Sequence, residues 1–232
     1  MEFSPPLHKG ILLKRYKRFL ADVLLDSGEE VIAHCVNTGA MLGIKDPGTP
    51  VYLSYAPSPN RKLSYTWEMA EVEGTLVGAN TARPNFLVGE ALLQKQLIPF
   101  QSYSNIKREA KINDKTRLDF LLKEEGLPDC YVEVKNVHYK KEGLALFPDS
   151  VTIRGAKHMD ELLELKSQGF QCAVLYVVQR ADCKGFGLAS EIDPNYAKST
   201  LKAHSDGVEI FAYSCQLTPN GITLAHILPL EF

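Results

Sequence analysis

The chain has 232 residues, of which 45% are hydrophobic and 23% are charged, as in ordinary globular proteins. This length is enough for one large or two small domains with a buried core. The formal charge of −2 at pH 7 excludes a globally basic nucleic-acid-binding protein, so any contacts to phosphates must come from local clusters.

The cysteines and the apolar segments indicate the compartment. Five cysteines are scattered without a Cys-x-x-Cys spacing, which favours neither a disulfide framework nor a zinc site and predicts a reducing cytoplasm. The chain begins Met-Glu-Phe-Ser-Pro-Pro, without the basic segment and apolar run of a signal peptide. The longest apolar stretch, at residues 173–178, is too short to span a bilayer, so we expect no membrane partner.

The first 80 residues have the pattern of an all-β region. Short apolar-rich runs bounded by turn residues predict strands at 19–25, 30–36, 51–55 and 62–72. Asp26-Ser27-Gly28-Glu29 joins the first two runs and indicates a hairpin. Four or five short strands in this length favour a small closed barrel, because closure removes exposed strand edges.

A turn-rich segment at residues 80–85 marks a change of pattern, and we predict a domain boundary between residues 82 and 83. The elements predicted after it are a helix through Glu90 that stops at Pro99, strands at 106–112, 117–123 and 130–137, a long loop, a helix at 157–168, a strand at 170–178, a helix capped by Asp193, and strands at 208–213 and 222–228. The apolar strand at 170–178 is expected to be buried on both faces. The order α-β-β-β-α-β, followed by α-β-β, predicts an α/β domain.

Asp119, Glu133 and Lys135 form the most informative constellation. Side chains alternate along a strand, so Glu133 and Lys135 share one face. A turn containing Gly126 and Pro128 separates Asp119 from Glu133, and a hairpin symmetric about Gly126 sets these carboxylates opposite each other. Facing carboxylates can share one hard cation such as Mg²⁺, and Lys135 can position an attacking water or help to deprotonate it.

The alternative is a solvated strand face with an incidental cross-strand ion pair. A Glu-x-Lys pair alone is common on strands, and the aspartate in matching register on the preceding strand is what favours a site. Asp129 precedes Glu133 by only four residues and is assigned to turn chemistry.

Several motifs become specific when they are taken together. They are Arg117-Leu118-Asp119-Phe120, Tyr131-Val132-Glu133-Val134-Lys135-Asn136, Phe147-Pro148-Asp149, Arg154-Gly155-x-Lys157-His158 and His34-Cys35-x-Asn37-Thr38-Gly39. In these motifs the sequence resembles the sugar fermentation stimulation protein family of bacteria and archaea, nearly end to end. The resemblance implies an OB-like N-terminal barrel and a C-terminal domain similar to PD-(D/E)xK nucleases. It also implies DNA binding without sequence preference and a regulatory role in sugar metabolism.

The resemblance extends the candidate site. It matches Asp119, Glu133 and Lys135 to the nuclease signature, with Leu118 in place of a proline that is not a ligand. In such nucleases a glutamate of the first helix often joins the metal, and Glu90 is the matching candidate. Glu109 on the first strand is its rival. The implied cofactor is Mg²⁺ or Mn²⁺. Gln179, just past the buried strand, either points into the cleft, as a polar residue does in some related nucleases, or caps the strand end.

Two basic clusters are candidates for nucleic-acid contacts. Arg154, Lys157 and His158 lie near a helix start, where positive charge opposes the helix dipole unless an anion such as phosphate binds there. A solvated helix end held by acidic neighbours explains that pattern equally well. The second cluster lies in the barrel and consists of Lys14, Arg15, Lys17 and Arg18, with Tyr16 and Phe19 interleaved and with Arg61, Lys62 and Arg83 as candidate extensions. It suits a nucleic-acid backbone with stacked bases, or it is an exposed strand whose charges discourage aggregation.

Three functions follow as hypotheses. The first is a DNA-binding protein with a metal-dependent phosphodiesterase site, and the second is a non-catalytic DNA-binding regulator on the same fold. The third is a carbohydrate-binding protein, because OB-type barrels also bind oligosaccharides, although a single tryptophan, Trp67, gives little support for sugar stacking. The sequence specifies no oligomeric state.

Overall fold

The N-terminal region is a closed barrel. The computed structural model describes residues 1–113 and 116–232 of the chain. The first six strands are β1 (His8–Tyr16), β2 (Leu20–Leu25), β3 (Glu30–His34), β4 (Pro50–Tyr55), β5 (Tyr65–Val72) and β6 (Thr75–Gly78). Five of them pair in the order β3-β2-β1-β4-β5, and β3 also pairs with β5, which closes the ring. The predicted OB-like barrel is confirmed, and β6 is added to β5.

Alternation of apolar and polar residues forms the barrel interior. In β2 the side chains of Ala21, Val23 and Leu25 are buried, whereas Leu24 is exposed. The predicted hairpin between β2 and β3 is confirmed. Gly28 in its turn has φ 87°, a conformation that favours glycine. β1 and β6 add to the predicted strands, since the apolar run of β1 is flanked by basic residues at both ends and β6 has only four residues.

The second region alternates helices and strands. Its elements are α1 (Arg83–Leu93), a 3₁₀ helix (Ile98–Phe100), β7 (Asn105–Lys111), β8 (Arg117–Lys123), β9 (Cys130–Val137), β10 (Lys140–Lys141), β11 (Leu144–Phe147), α2 (Ile153–Ser167), β12 (Gln171–Val178), β13 (Gly185–Leu188), α3 (Pro194–Ser205), β14 (Glu209–Thr218) and β15 (Gly221–Ile227). The predicted order α-β-β-β-α-β is present, with the short strands β10, β11 and β13 added to it.

A six-stranded sheet in the order β15-β14-β12-β9-β8-β7 forms the centre of this domain. β9, β12 and β14 are parallel, and β7, β8 and β15 pair antiparallel. α1 packs on one face of the sheet, and α2 and α3 pack on the other. β12 is buried on both faces, as its apolar run predicts. The α/β fold class is confirmed.

Capping side chains determine where two helices begin. Thr152 Oγ1 accepts a hydrogen bond from Gly155 N at 3.0 Å, so α2 begins at Ile153, earlier than predicted. Asp193 caps α3 as predicted, accepting from Tyr196 N at 2.9 Å. The segment before α2, predicted as a loop, contains β10 and β11, which form a small sheet with β13. Among the described residues, no helix is long and apolar enough to cross a membrane.

Buried contacts join the barrel to the α/β domain. Tyr52 and Met69 of the barrel lie in one hydrophobic core with Leu87 and Val88 of α1. A backbone hydrogen bond of 2.8 Å also runs from Gly78 N to the carbonyl oxygen of Gln179. The two domains therefore meet through apolar packing as well as polar bonds.

Candidate active site

Two carboxylates face each other on neighbouring strands of the central sheet. β8 and β9 pair with Phe120 opposite Val132, so the next pair in this register is Asp119 and Glu133. This is the register that a hairpin symmetric about Gly126 predicts. Both carboxylates line an open cleft of about 460 Å³ between the barrel and the α/β domain.

Glu133 is almost completely buried and receives two hydrogen bonds on one oxygen. Lys135 Nζ donates to Glu133 Oε1 at 2.6 Å, and His158 Nδ1 bonds to the same oxygen. Among the described residues, none bonds to Oε2. Burial acts to raise the pKa of Glu133, but Lys135 and His158 outweigh it and hold that pKa below its ordinary value.

His158 links Glu133 to a second cationic side chain. Arg154 Nε donates to His158 Nε2 at 3.3 Å, which assigns the ring proton to Nδ1, on the side of Glu133. The sequence predicted His158 as a surface contact to nucleic acid, and the structure corrects this, because the ring is buried against Glu133. The sequence carries no signal for this contact, since it depends on how α2 packs against the sheet.

Asp119 is held by groups from two elements. Its Oδ1 accepts from Asn85 Nδ2 and its Oδ2 accepts from Val134 N, both at 2.7 Å. Burial and the neighbouring charge of Glu133 raise the pKa of Asp119 to about 6, against the opposing effect of these hydrogen bonds. Sequence reasoning missed Asn85, because Arg83-Pro84-Asn85 has the composition of a turn and not of a site.

The structure corrects the prediction for Glu90. Its Oε2 lies 2.8 Å from the N-terminal amine of Met1, and the residue is not among those that line the cleft. Asn85 is the α1 residue that reaches Asp119. At about 100° per residue, a side chain five positions further along a helix points to a different side. The helix named by the family pattern contacts the carboxylate pair, but through Asn85 and not through Glu90.

The two accessory candidates lie outside the cleft lining. The register sets Glu109 opposite Asp119 in the β7–β8 pair, but Glu109 has φ 53° and is exposed. Gln179 is fully buried, and its Nε2 donates to Asn80 O at 3.1 Å and to Asn136 Oδ1 at 2.5 Å. Gln179 therefore joins the end of β12 to the barrel, which corresponds to the strand-end interpretation.

The basic cluster of the barrel separates into different roles. Lys14 pairs with Asp22 at 3.2 Å, and Arg15 is turned inward as a donor to backbone carbonyls. Lys17 and Arg18 form the exposed turn between β1 and β2, and of these two only Arg18 lines the cleft. The prediction of Arg15 as a phosphate contact is corrected, because its Nη2 is occupied within the barrel.

The other cationic side chains predicted to contact nucleic acid also lie in different parts of the molecule. Arg61 donates to Thr66 Oγ1 at 2.8 Å, and Arg61 and Lys62 line a small separate pocket on the barrel. Lys157 pairs with Glu161 at 3.4 Å, one turn along α2. Arg154 is exposed and lines the cleft together with Arg18.

The donor set at the cleft fits a hard cation with part of its shell supplied from outside. Within residues 1–113 and 116–232, no group of three or more His, Cys, Asp or Glu side chains is arranged to hold a metal. Mg²⁺ is commonly held by one or two carboxylates, with waters and substrate phosphates completing its shell. Asp119 and Glu133, with Glu133 Oε2 left without a bond from the described residues, match that requirement.

Comparisons with known proteins agree with the fold. Residues 82–221 match the family model described as the sugar fermentation stimulation protein RE domain, and residues 13–79 match the SfsA N-terminal OB domain. A sugar fermentation stimulation protein homolog of Paramagnetospirillum magneticum is 49% identical over 231 residues, covering 100% of this chain and 98% of the relative. One of Rhodospirillum centenum is 48% identical over 232 residues, covering 100% of both chains.

A solved structure extends the likeness to three dimensions. The structure described as Pyrococcus furiosus SfsA in complex with Ca²⁺ superposes with a TM-score of 0.90 at 26% identity, covering 100% of this chain and 98% of that one. The two family models together span both domains, as does each of the relatives and this structure. The chain therefore belongs to the sugar fermentation stimulation protein family.

Proposed function

We propose that this protein is a divalent-cation-dependent phosphodiesterase that cleaves DNA without sequence preference. The observation that carries the proposal is the meeting of Asp119, Glu133 and Lys135 in one cleft. Two carboxylates provide the negative charge that holds a cation, and a lysine beside them provides positive charge near the reacting phosphate. These are the requirements of phosphodiester hydrolysis.

Each residue has a defined task in this reaction. Asp119 and Glu133 would hold Mg²⁺ or Mn²⁺, which supplies Lewis-acid activation of the phosphodiester and of water. Lys135 Nζ, 2.6 Å from Glu133 Oε1, orients the attacking water and offsets charge that develops on the phosphate. His158 and Asn85 keep the two carboxylates in position.

The Pyrococcus furiosus relative supports an oxygen-liganded cation, because its structure is described as a complex with Ca²⁺. Ca²⁺ and Mg²⁺ are both hard cations that carboxylate oxygens bind, with Ca²⁺ the more tolerant of irregular geometry. The carboxylate pair in the present cleft offers donors of the same chemical kind.

DNA as the substrate is supported by the cations of the cleft. Arg18 and Arg154 can pair with phosphate oxygens, and such contacts carry no base information, which accounts for binding without sequence preference. A cytoplasmic place of action is supported by the five cysteines, all of which are free and buried.

A second candidate function is a non-catalytic DNA-binding regulator of sugar metabolism on the same fold. The presence of both carboxylates and the lysine in one register favours hydrolysis over a site that has lost its chemistry. A carbohydrate-binding barrel is disfavoured, because the Trp67 side chain is fully buried and offers no face for stacking on a sugar.

The test is a cleavage assay with labelled linear and branched DNA in Mg²⁺ or Mn²⁺. We expect the wild type to cleave only with cation, and Asp119→Ala and Glu133→Ala to lose at least about 10²-fold in rate while still binding DNA. Glu90→Ala is the matched control, since this carboxylate lies outside the cleft and should leave the rate unchanged. Binding by the wild type without cleavage would contradict hydrolysis of these substrates and favour the regulator.

A further inference from the structure

Both domains build the walls of the candidate cleft. Asp119 and Glu133 lie on the central sheet, and the segment between β11 and α2 lines the cleft on the α/β side. On the barrel side it is lined by Arg18 and by the loop at residues 37–39, which follows β3. A ligand bound at the two carboxylates would therefore lie between the barrel loop and the start of α2.

The barrel loop is fastened to the opposite wall. Met41 N donates to Asp149 Oδ2 at 2.7 Å, across the cleft from barrel to α/β domain. A Cβ added at Gly39 would lie 3.1 Å from Asp149 Oδ1, so the two walls already approach closely. Arg15 Nη2 donates to the carbonyls of Asn37 and Gly39 at 2.9 and 3.1 Å and holds the loop in this conformation.

The domain junction behind the cleft is also fixed. Glu68 of β5 is completely buried and pairs with Arg83 at the start of α1, at 2.5 Å between Oε1 and Nη2. The shared apolar core around Tyr52 and Met69 adds to this ion pair. Opening the cleft by moving the barrel would break buried polar and apolar contacts together, so its width is a stable property of the fold.

The size of the cleft limits what can enter it. Its volume of about 460 Å³ is within the range of about 300–1,000 Å³ that is typical of pockets for small molecules. The walls meet at one end of the cleft, where Met41 N lies 2.7 Å from Asp149 Oδ2. A rigid B-form duplex, whose major groove alone measures about 12 Å across, fits between such walls less readily than one strand does. We propose that the cleft admits one nucleic-acid strand, so that the substrate is a single-stranded segment, tail or frayed end and not an intact duplex. This inference rests on the proposed function and names its substrate class.

The side chains of the walls suit a single strand. Arg18 and Arg154 lie on the barrel and α2 sides of the cleft, where their guanidinium groups can bind successive phosphates. Val151 also lines the cleft and is 68% exposed, although the neighbouring Thr152 is pinned by its cap hydrogen bond. An exposed apolar side chain in a cleft that also contains two cations is suited to contact an unstacked base, which only a single strand presents.

The test compares strands of one sequence in a binding assay. The Asp119→Asn variant is used because this substitution prevents cleavage. Fluorescence anisotropy measures the affinity of the variant for a labelled single strand, a blunt duplex and a duplex with a single-stranded tail. We expect the single strand and the tailed duplex to bind at least about tenfold more tightly than the blunt duplex, since only unpaired bases can contact the exposed side chain of Val151.

Arg18 and Lys17 provide a matched pair of variants. Both are exposed, both have positive φ (65° and 49°) and they are neighbours, but only Arg18 lines the cleft. Asparagine tolerates this backbone conformation. We expect Arg18→Asn to weaken single-strand binding about tenfold and to reduce the salt slope by about 0.7, as for one lost phosphate contact, with Lys17→Asn within about twofold of wild type.

The outcomes separate this inference from the proposed function. Equal affinity for single strand and blunt duplex, or equal effects of Arg18→Asn and Lys17→Asn, would overturn the single-strand inference even if the wild type cleaves DNA. Conversely, a wild type that cleaves no DNA with Mn²⁺ overturns the proposed hydrolysis, while the binding ratios still decide which form of nucleic acid the cleft accepts. If the proposed hydrolysis and the single-strand inference are both correct, Mn²⁺-dependent cleavage of the tailed duplex falls within its single-stranded tail.

Discussion

Two glutamates of this protein are buried to almost the same extent but differ in their partners. Glu68 lies at the barrel junction, where Ser54, Asn80 and Arg83 together donate four hydrogen bonds to its two oxygens. Glu133 lies in the cleft, where both of its bonds from described residues converge on Oε1. A carboxylate whose two oxygens are both bonded within the protein is structural, whereas one with an oxygen unbonded by the described residues can accept a ligand there.

The neighbours of each glutamate sharpen this difference. Glu68 faces a guanidinium that pairs with it through two nitrogens, which is a favourable geometry for a buried ion pair. Glu133 faces Asp119, whose pKa is raised to about 6 by burial and by this like charge. Repulsion between two buried carboxylates is unfavourable in the protein alone, and a bound cation would relieve it. Stability and function thus make opposite demands on two similar side chains.

Glu68→Gln is expected to give the largest effect. Loss of the charge leaves Arg83 without its buried partner, and breaking such a pair costs about 3–5 kcal/mol of unfolding free energy. Urea denaturation measures this change. Glu71→Gln, on the same strand and partly exposed, is the matched control and should cost less than about 1 kcal/mol. Equal losses in the two variants would contradict a structural role specific to Glu68.

Glu133→Gln is expected to affect the rate of DNA cleavage more than the stability of the fold. It should lower the rate of DNA cleavage by at least about 10²-fold, because a ligand for the cation is lost. The free energy of unfolding should fall by less than in Glu68→Gln, since repulsion from Asp119, which the substitution also removes, offsets part of the lost attraction to Lys135 and His158.

Asp129→Asn is the control for Glu133→Gln. Asp129 pairs with Lys123 at the turn between β8 and β9 and should leave cleavage unchanged when substituted. A severe loss of stability in Glu133→Gln would mean that Glu133, like Glu68, is primarily structural.

The sequence allowed the carboxylate pair to be predicted, because strand periodicity and a symmetric hairpin fix which side chains meet across one turn. It did not allow Asn85 or His158 to be identified as their partners, since those contacts depend on how α1 and α2 pack against the sheet. Glu90 was wrong for the same reason, because the rotation of a helix about its axis is set by its tertiary core and not by the motif.

The barrel cations were the least predictable part of the site. Arg15 and Arg18 belong to one basic run, but Arg15 folds inward onto backbone carbonyls and Arg18 faces the cleft. Composition cannot distinguish a cation that satisfies its own loop from one that is free for a ligand. By contrast, the fold class was predictable throughout, since apolar alternation in the barrel and the buried run of β12 are local signals.

His158 is expected to affect cation binding by a smaller amount. Its Nδ1–H donates to Glu133 Oε1 and leaves Oε2 for the cation, so His158→Ala should weaken Mn²⁺ binding about 10–100-fold. His158→Asn supplies an amide N–H in a similar position and should restore most of the affinity. Isothermal titration calorimetry with Mn²⁺ alone measures both. If the asparagine variant bound as weakly as the alanine variant, the hydrogen bond to Glu133 would not be the cause.

The pH dependence of cation binding is expected to be the smallest effect. A cation needs ionised Asp119, whose pKa in the metal-free protein is about 6, so protons compete as the pH falls through this value. Mn²⁺ affinity should be about tenfold lower at pH 5 than at pH 7, since about nine-tenths of a group with this pKa is protonated at pH 5. Burial acts to raise the pKa of Asp182, but Arg180 and Lys140 lower it to about 2. Asp182 therefore stays ionised between pH 5 and pH 7 and does not contribute to this pH dependence. A flat profile between pH 5 and 7 would exclude Asp119 as a ligand.

The apolar core shared by the two domains has a consequence for inheritance. Tyr52 and Met69 of the barrel pack beside α1 at the interface between the two domains. A barrel taken from another protein would therefore bring side chains of the wrong shape to this interface. The α/β domain, expressed alone, would expose the same surface to water and be prone to aggregate. The two domains are therefore expected to evolve as one unit. A substitution on one side of their interface favours a compensating substitution on the other side.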